Sequence, residues 1–139
     1  MKIMALDYGS KTVGVAMTDA LGITAQGKEI IKRKSPNKLR QTLARIVQLV
    51  EENSVEKIVL GLPLNIDGTS GERVAKTKEF AAKIKARIDI PIEFEDERLT
   101  TVEAYEIMDE LNIPQQERNE YVDMIAAVVI LEQYMNNNK

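Results

Sequence analysis

The first 31 residues contain three short strand-like segments joined by tight turns, and this arrangement restricts the fold more than any other feature of the sequence. Residues 1–7 form an apolar run, residues 12–18 alternate small and branched side chains, and residues 23–31 form a weaker third segment. Turns of so few residues join antiparallel neighbours, because parallel strands need a long crossover connection. The start of the chain is therefore predicted to be an antiparallel meander.

The hydrophobic period then changes from that of strands to that of helices. Ser35-Pro36-Asn37 is predicted to start a first helix, and Lys57–Leu62 is continuously apolar, as is typical of a strand covered on both faces. A second helix, a short strand at residues 91–95 and two further helices follow, the last over residues 117–135. Two capping boxes are predicted, each made of a threonine and a glutamate three residues later: Thr69 with Glu72 and Thr100 with Glu103.

The order β-β-β-α-β-α-β-α-α predicts an α/β fold with one mixed five-stranded sheet. Its first three strands are antiparallel, helix–strand alternation follows, and helices flank the sheet. We expect a single domain over residues 1–135 and a frayed tail at residues 136–139.

The chain contains no cysteine and no histidine. Thiol nucleophiles, disulfides, histidine general bases and histidine-bound zinc are therefore excluded. Acid–base chemistry is left to carboxylates, lysines, tyrosines or a metal-bound water. The first residues reach Asp7 without an apolar stretch long enough for a signal peptide, and no apolar run is long enough to span a membrane.

The net charge of −3 conceals two oppositely charged parts. Residues 1–88 carry a net charge of +7 and residues 89–139 carry −10. Either the protein has two solvated faces, or a basic surface for phosphates adjoins an acidic centre for cations. A basic stretch opposed only by Glu29 is predicted to contact a nucleic-acid backbone, with a solvated surface as the alternative: Lys28, Lys32, Arg33, Lys34, Lys38, Arg40 and Arg45.

Three separated acidic positions carry the predicted chemistry. Asp7 ends the first predicted strand, where an unpaired charge is costly unless it holds a cation, although it can also be a turn-forming residue. Glu95–Arg98 ends the fifth strand, as either a solvated turn or a cation site. Asp123 lies one turn before Ala126 and Ala127, whose small side chains allow the last helix to approach the sheet; a solvent-facing aspartate is the alternative.

Convergence of these carboxylates would suit Mg²⁺ or Mn²⁺. Two such ions, about 3.5–4 Å apart, activate water and stabilise the leaving oxygen of a phosphodiester. We predict Asp7, a carboxylate of the Glu95–Glu97 run and Asp123 as catalytic residues and metal ligands. Lys11 and Arg98 are predicted to bind substrate together with Lys32, Arg33 and Lys34.

Three segments resemble the YqgF/RuvX family of small bacterial RNase H-like proteins. They begin at Asp7 (DYGSKTVGVA), Gly61 (GLPLNIDGT) and Asp96 (DERLTT). The resemblance covers nearly the whole chain and implies an RNase H-like fold and a cytoplasmic nuclease. It implies 5′-end processing of pre-16S rRNA, with the assembling ribosome as a possible partner, or Holliday-junction resolution on branched DNA. The family's acidic positions fall on Asp7, Glu97 and Asp123, so the resemblance implies these three as catalytic residues and metal ligands, with Asp96 as the alternative to Glu97. The RuvC-type pattern differs, because its second carboxylate lies on the fourth strand.

Two other functions compete with the nuclease. Asp7-Tyr8-Gly9-Ser10-Lys11 also resembles the phosphate loop of actin-like kinases and ATPases, but those proteins need two such domains. The second alternative is a non-catalytic nucleic-acid-binding module. The oligomeric state follows the substrate, because symmetric cutting of a junction needs a two-fold dimer and RNA trimming needs only a monomer.

Overall fold

The computed structural model describes residues 1–64, 67, 71–97 and 100–138 of the protein. The strands are β1 (Ile3–Tyr8), β2 (Thr12–Thr18), β3 (Ala25–Lys32), β4 (Lys57–Leu62) and β5 (Ile92–Asp96). The helices are α1 (Arg40–Asn53), α2 (Glu72–Lys85), α3 (Thr100–Glu110) and α4 (Arg118–Asn137), with a 3₁₀ turn at Gln115–Glu117. This order confirms the predicted α/β fold.

The five strands form one sheet in the order β3-β2-β1-β4-β5. Strands β1, β2 and β3 are antiparallel, whereas β4 is parallel to both β1 and β5. The sheet is therefore mixed, with the predicted meander at one side and the helix-connected strands at the other. Strand β1 lies in the centre, between β2 and β4.

Helices cover both faces of the sheet. Helices α1 and α2 cover one face with large apolar side chains, among them Ile46, Leu49 and Phe80, which meet Met4 and Leu6 of β1. Helix α4 covers the other face, and α3 packs against α4. No helix among the described residues is long and apolar enough to cross a membrane.

The face beneath α4 is lined by small residues. Because strand side chains alternate, Ala5 and Ala16 face α4 while their neighbours face α1 and α2. Ala126 and Ala127 of α4 are both buried, as expected from their size. Small side chains on both surfaces let α4 lie close to the sheet.

Several predicted boundaries differ from the structure. Helix α1 begins at Arg40, not at Ser35–Asn37, because residues 34–37 form a bend and turn. The N-cap of α2 is Gly71, so the helix begins at Glu72 rather than at a capping box three residues earlier; Thr69 lies outside the described residues. Helix α4 continues to Asn137, two residues past the predicted end of the domain.

Candidate active site

Asp7 lies near the carboxyl end of the central strand β1, on the face that α4 covers. It follows Ala5 at the strand period, and its antiparallel partner in β2 is Gly14. The side chain is only partly accessible. Burial is the largest influence on this carboxyl group and raises the pKa of Asp7 to about 6.

Glu97 directly follows β5 and extends the parallel pairing by one bond, because its amide donates to the carbonyl of Leu62 at 3.2 Å. Its side chain lies over Gly61 of β4. A Cβ atom on Gly61 would be 2.7 Å from Glu97 Oε2 and 2.6 Å from Ile130 Cδ1. A glycine at this position of β4 therefore makes room for the Glu97 carboxyl group between the sheet and α4.

Asp123 reaches the same region from α4. The Thr12 hydroxyl, at the start of β2, donates a hydrogen bond to Asp123 Oδ2. The helix can lie this close because Gly14 has no side chain: a Cβ atom there would be 1.9 Å from the Asp123 carbonyl oxygen. Gly14 and Thr12 together determine where α4 presents Asp123.

The Asp7 and Glu97 carboxyl groups share a hydrogen bond. Burial, followed by the negative charge and hydrogen bond of Asp7, raises the pKa of Glu97 to about 9. Glu97 therefore keeps a proton at neutral pH and donates it to ionised Asp7. The charge of Asp123 also raises the pKa of Asp7, which places the third acid close enough to repel the pair.

Arg73, in the first turn of α2, compensates the negative charge of this pair and was not predicted from the sequence. Its charge lowers the pKa of both Asp7 and Glu97. Its Nη2 atom donates to the Tyr8 carbonyl at 3.1 Å, next to Asp7 in the chain. Two buried acids need a nearby cation, and that requirement was the available clue to this arginine.

The donor chemistry of the carboxylates fits a hard divalent cation. Asp7, Glu97 and Asp123 offer only oxygen ligands, which hard divalent cations such as Mg²⁺ prefer. Among the residues that the structure describes, no group of three acidic side chains is placed so that it could hold a metal ion. The residues are suitable ligands, and a metal would have to draw them together.

The predicted substrate-binding residues fall into different environments. Lys11, Lys32 and Lys34 are exposed, the last two on a basic cleft of about 690 Å³ between β3 and α1. Arg33 instead turns inward, where Nη2 donates to the Gly9 carbonyl at 2.5 Å. Arg98 lies outside the described residues.

Arg45, at the other end of the basic stretch, is engaged within the protein. It forms two hydrogen bonds to Glu29, at 2.6 and 2.9 Å, and this pairing lowers the pKa of Glu29. Arg45 is thus paired with Glu29 within the protein, although about a third of its side chain (34%) remains exposed.

Solved structures that share this fold include Holliday junction resolvases. The chain matches RuvC of Thermus thermophilus in complex with a Holliday junction substrate, at a TM-score of 0.62 and 11% identity, over 99% of this chain and 96% of that one. It matches the resolvase of fowlpox virus at a TM-score of 0.62 and 13% identity, over the full length of both chains. The fold is thus the RNase H-like fold of these resolvases.

The sequence profile of the RuvX family, described as Holliday junction resolvase, matches residues 1–137, and the chain belongs to this family. A relative from Agathobacter rectalis is 54% identical over 136 residues, or 98% of this chain and 95% of that protein. One from Lachnospira eligens is 50% identical over 139 residues, covering 100% and 99%. Both carry the name "Putative pre-16S rRNA nuclease".

Proposed function

We propose that this protein is a divalent-metal-dependent nuclease that processes the 5′ end of the 16S rRNA precursor. The single observation that carries the proposal is the half-buried Asp7–Glu97 pair, with Asp123 beside it, at the end of the central strand. Acidic groups packed this closely are unfavourable in a purely structural role and useful where a cation must bind. The names of the relatives supply the RNA substrate.

Asp7, Glu97 and Asp123 would hold Mg²⁺ or Mn²⁺, two ions in the arrangement we favour. The metal would supply a nucleophilic water and stabilise charge on the phosphate. The chain's own residues bind and orient: Thr12 holds the Asp123 carboxylate, and Arg73 offsets the negative charge of the pair.

The exposed lysines of the basic cleft would hold the substrate backbone. Lys32 and Lys34 present point charges on a surface without aromatic platforms, which suits binding to phosphates regardless of base sequence. Lys11 and Arg98 complete the proposed substrate contacts from the β1–β2 turn and from the segment after β5. An RNA precursor as substrate would place the protein in the cytoplasm, with the assembling ribosome as its partner.

Holliday-junction resolution is the second candidate, because the RuvX family carries that description and the fold matches RuvC. Symmetric cutting of a junction requires two active sites related by a two-fold axis. The resolvase would therefore act as a dimer, whereas the RNA nuclease can act as a monomer.

Cleavage of two substrates by wild-type and Asp7→Asn protein tests these functions. One substrate is single-stranded RNA spanning a 16S precursor end, and the other is a synthetic four-way DNA junction, each with Mg²⁺, Mn²⁺ or EDTA. We expect metal-dependent cleavage of the RNA, abolished in Asp7→Asn. Asp89→Asn, which removes the same charge from an exposed position, should cleave normally.

Each of the other outcomes would contradict part of the proposal. Symmetric cutting of the junction alone would replace RNA processing with resolution. Full cleavage by Asp7→Asn would refute the proposed catalytic centre. Metal-independent binding with no cleavage of either substrate, also in the presence of ribosomal precursor particles, would favour a non-catalytic module.

A further inference from the structure

We propose that a second pocket, beside the carboxylates and lined by α2, binds a phosphate group of the substrate strand next to the phosphate that is cleaved. The inference rests on the proposed nuclease function and identifies how that function would position its substrate. The pocket has a volume of about 320 Å³, at the lower end of the roughly 300–1,000 Å³ usual for ligand sites.

The lining of this pocket is strongly cationic. It includes four basic side chains and a single acid: Arg33, Arg73, Lys76, Lys83 and Glu79. Lys76 also approaches Glu72, but that pair is 3.4 Å long and both side chains are largely exposed, so it neutralises little. The excess positive charge favours an anionic ligand.

Arg33 is held as a rigid cation at one wall. Its guanidinium carbon lies 5.0 Å from the centre of the Tyr8 ring, and Nη2 donates to the Gly9 carbonyl. Its Nε and Nη1 atoms are buried and have no hydrogen-bond partner among the described residues. Burial lowers the pKa of Arg33, which shows that its charge is poorly solvated. An anion entering the pocket would stabilise this charge.

The aromatic residues of the pocket are already engaged with protein. The rings of Tyr8 and Phe80 stack at 4.0 Å, and the Arg33 guanidinium also lies over Tyr8. This packing does not offer a ring on which a base could stack. A phosphate, rather than a base, is the part of a nucleotide that the lining recognises.

Arg73 connects the pocket to the catalytic carboxylates. It lines the pocket, donates to the Tyr8 carbonyl, and is close enough to Asp7 and Glu97 to lower the pKa of both. On its other side the pocket shares Arg33 with the basic cleft that contains Lys32 and Lys34. Arg33 and Arg73 thus link the cleft, the pocket and the carboxylates, and this is the order in which the proposal places the phosphates of a substrate strand.

The test compares two charge reversals on the same helix. Lys83 lines the pocket, whereas Lys78 is equally exposed but lies on a different face of α2, beside Pro91 and Phe94. We would measure binding of fluorescein-labelled single-stranded RNA to the full-length protein in EDTA, over a range of salt concentrations. The RNA would carry either a 5′-phosphate or a 5′-hydroxyl, and thermal melts would show that both variants are folded.

We expect Lys83→Glu to weaken binding several-fold and to reduce the salt slope by about 0.7, the contribution of one phosphate contact on a single strand. Lys78→Glu should bind like the wild type. If the advantage of a 5′-phosphate disappears in Lys83→Glu, the pocket takes a terminal phosphate. If Lys83→Glu weakens the binding of both RNAs equally, the pocket binds an internal phosphate. Equal binding by the two variants would overturn the proposal.

The binding assay separates this inference from the proposed function. It contains no metal and depends on no cleavage, so a protein without nuclease activity can still show the Lys83 effect. The converse result is cleavage that depends on metal and is lost in Asp7→Asn, while Lys83→Glu binds RNA like the wild type. That result would support the proposed nuclease function and would exclude the pocket as a substrate site.

Discussion

Gly14 of β2 lies against the backbone of Asp123 in α4, so closely that a Cβ atom on the glycine would be 1.9 Å from the Asp123 carbonyl oxygen. The contact is with backbone atoms, which cannot rotate away as a side chain can. Gly14 is also the strand partner of Asp7. The absence of a side chain at Gly14 thus allows α4 to bring Asp123 close to Asp7 of β1.

Gly14→Ala should displace α4 from the sheet and move Asp123. We expect a loss of about 1–3 kcal/mol in the free energy of unfolding, the usual cost of overpacking, together with a large loss of cleavage. Urea denaturation and the RNA cleavage assay would measure both. Gly27→Ala is the matched control, because the three atoms nearest to its Cβ atom would all belong to the flexible Met124 side chain, at 3.0–3.3 Å. A Gly14→Ala protein as active and stable as Gly27→Ala would contradict the role of this contact.

The Asp7–Glu97 pair should make the metal-free protein less stable as the pH rises. A carboxyl group whose pKa is raised by folding stabilises the protein fully below its unfolded pKa, about 4, and this contribution is lost as the pH passes the folded value. The folded values are about 6 for Asp7 and about 9 for Glu97, so the loss should extend from about pH 4 to pH 9.

Asp7→Asn removes the ionised member of the pair. In EDTA near pH 8, we expect the variant to be more stable than the wild type by about 1–3 kcal/mol, with a flatter dependence on pH. Adding MgCl₂ should raise the melting temperature of the wild type but not that of the variant. Parallel pH–stability curves for wild type, Asp7→Asn and the exposed control Asp89→Asn would show that the pair is not repulsive.

Thr12→Val should impair cleavage more than stability. The hydroxyl of Thr12 donates to Asp123, and valine keeps the branched shape that suits the strand. Losing a residue that orients a metal ligand typically costs about 10–100-fold in activity, whereas one lost hydrogen bond costs about 1 kcal/mol. Steady-state cleavage and thermal melts would compare the two effects.

Two variants make the Thr12 prediction specific. Thr12→Ser retains the hydroxyl and should retain most activity. Thr24→Val removes a hydroxyl that donates to Asp19 in an exposed turn, 3.1 Å away, and should leave cleavage unchanged. Equal activities for Thr12→Val and Thr24→Val would exclude the proposed positioning role.

Reversing the charges of Lys32 and Lys34 together should weaken RNA binding and lower its salt slope by about 1.4, or 0.7 per phosphate contact. Both lysines are exposed on the basic cleft. Exposed cations elsewhere provide the control, as Lys78→Glu combined with Arg87→Glu. An unchanged slope in the Lys32/Lys34 variant would remove the cleft from the RNA interface.

Arg33 should behave differently from its two neighbours. The sequence places it in the same basic run, but its guanidinium packs over Tyr8 and donates to Gly9. Replacing it should therefore disturb the turn between β1 and β2 as well as binding. Sequence position alone could not separate it from Lys32 and Lys34, because all three have the same charge and similar flanking residues.

The boundaries of α1 and α2 show where local patterns fail. Proline near Ser35 is a good helix start, yet residues 34–37 turn and α1 begins only at Arg40. The capping box predicted at Thr69 gives way to Gly71 at the N-cap of α2. Local propensity differs by only about 1 kcal/mol between such alternatives, so packing of the helix on the sheet decides between them.

Small residues on the face beneath α4 are a pattern that the sequence contained but that became interpretable only in three dimensions. Gly14 and Ala16 alternate with larger residues along β2, and Gly61 follows Val59 along β4. The alternation is visible in one dimension. The crossover connections and the order of the strands determine which helix packs against this face of small residues.

The sequence by itself determined the element order, the mixed sheet, the exclusion of thiol and imidazole chemistry, and the family, because hydrophobic period, composition and motifs are local or additive properties. The tertiary structure alone decided that Glu97 faces Asp7, that Arg73 offsets both, and that Gly14 admits Asp123. These relationships join residues up to 109 positions apart. They depend on atomic distances between packed elements, and a one-dimensional pattern contains no such distances.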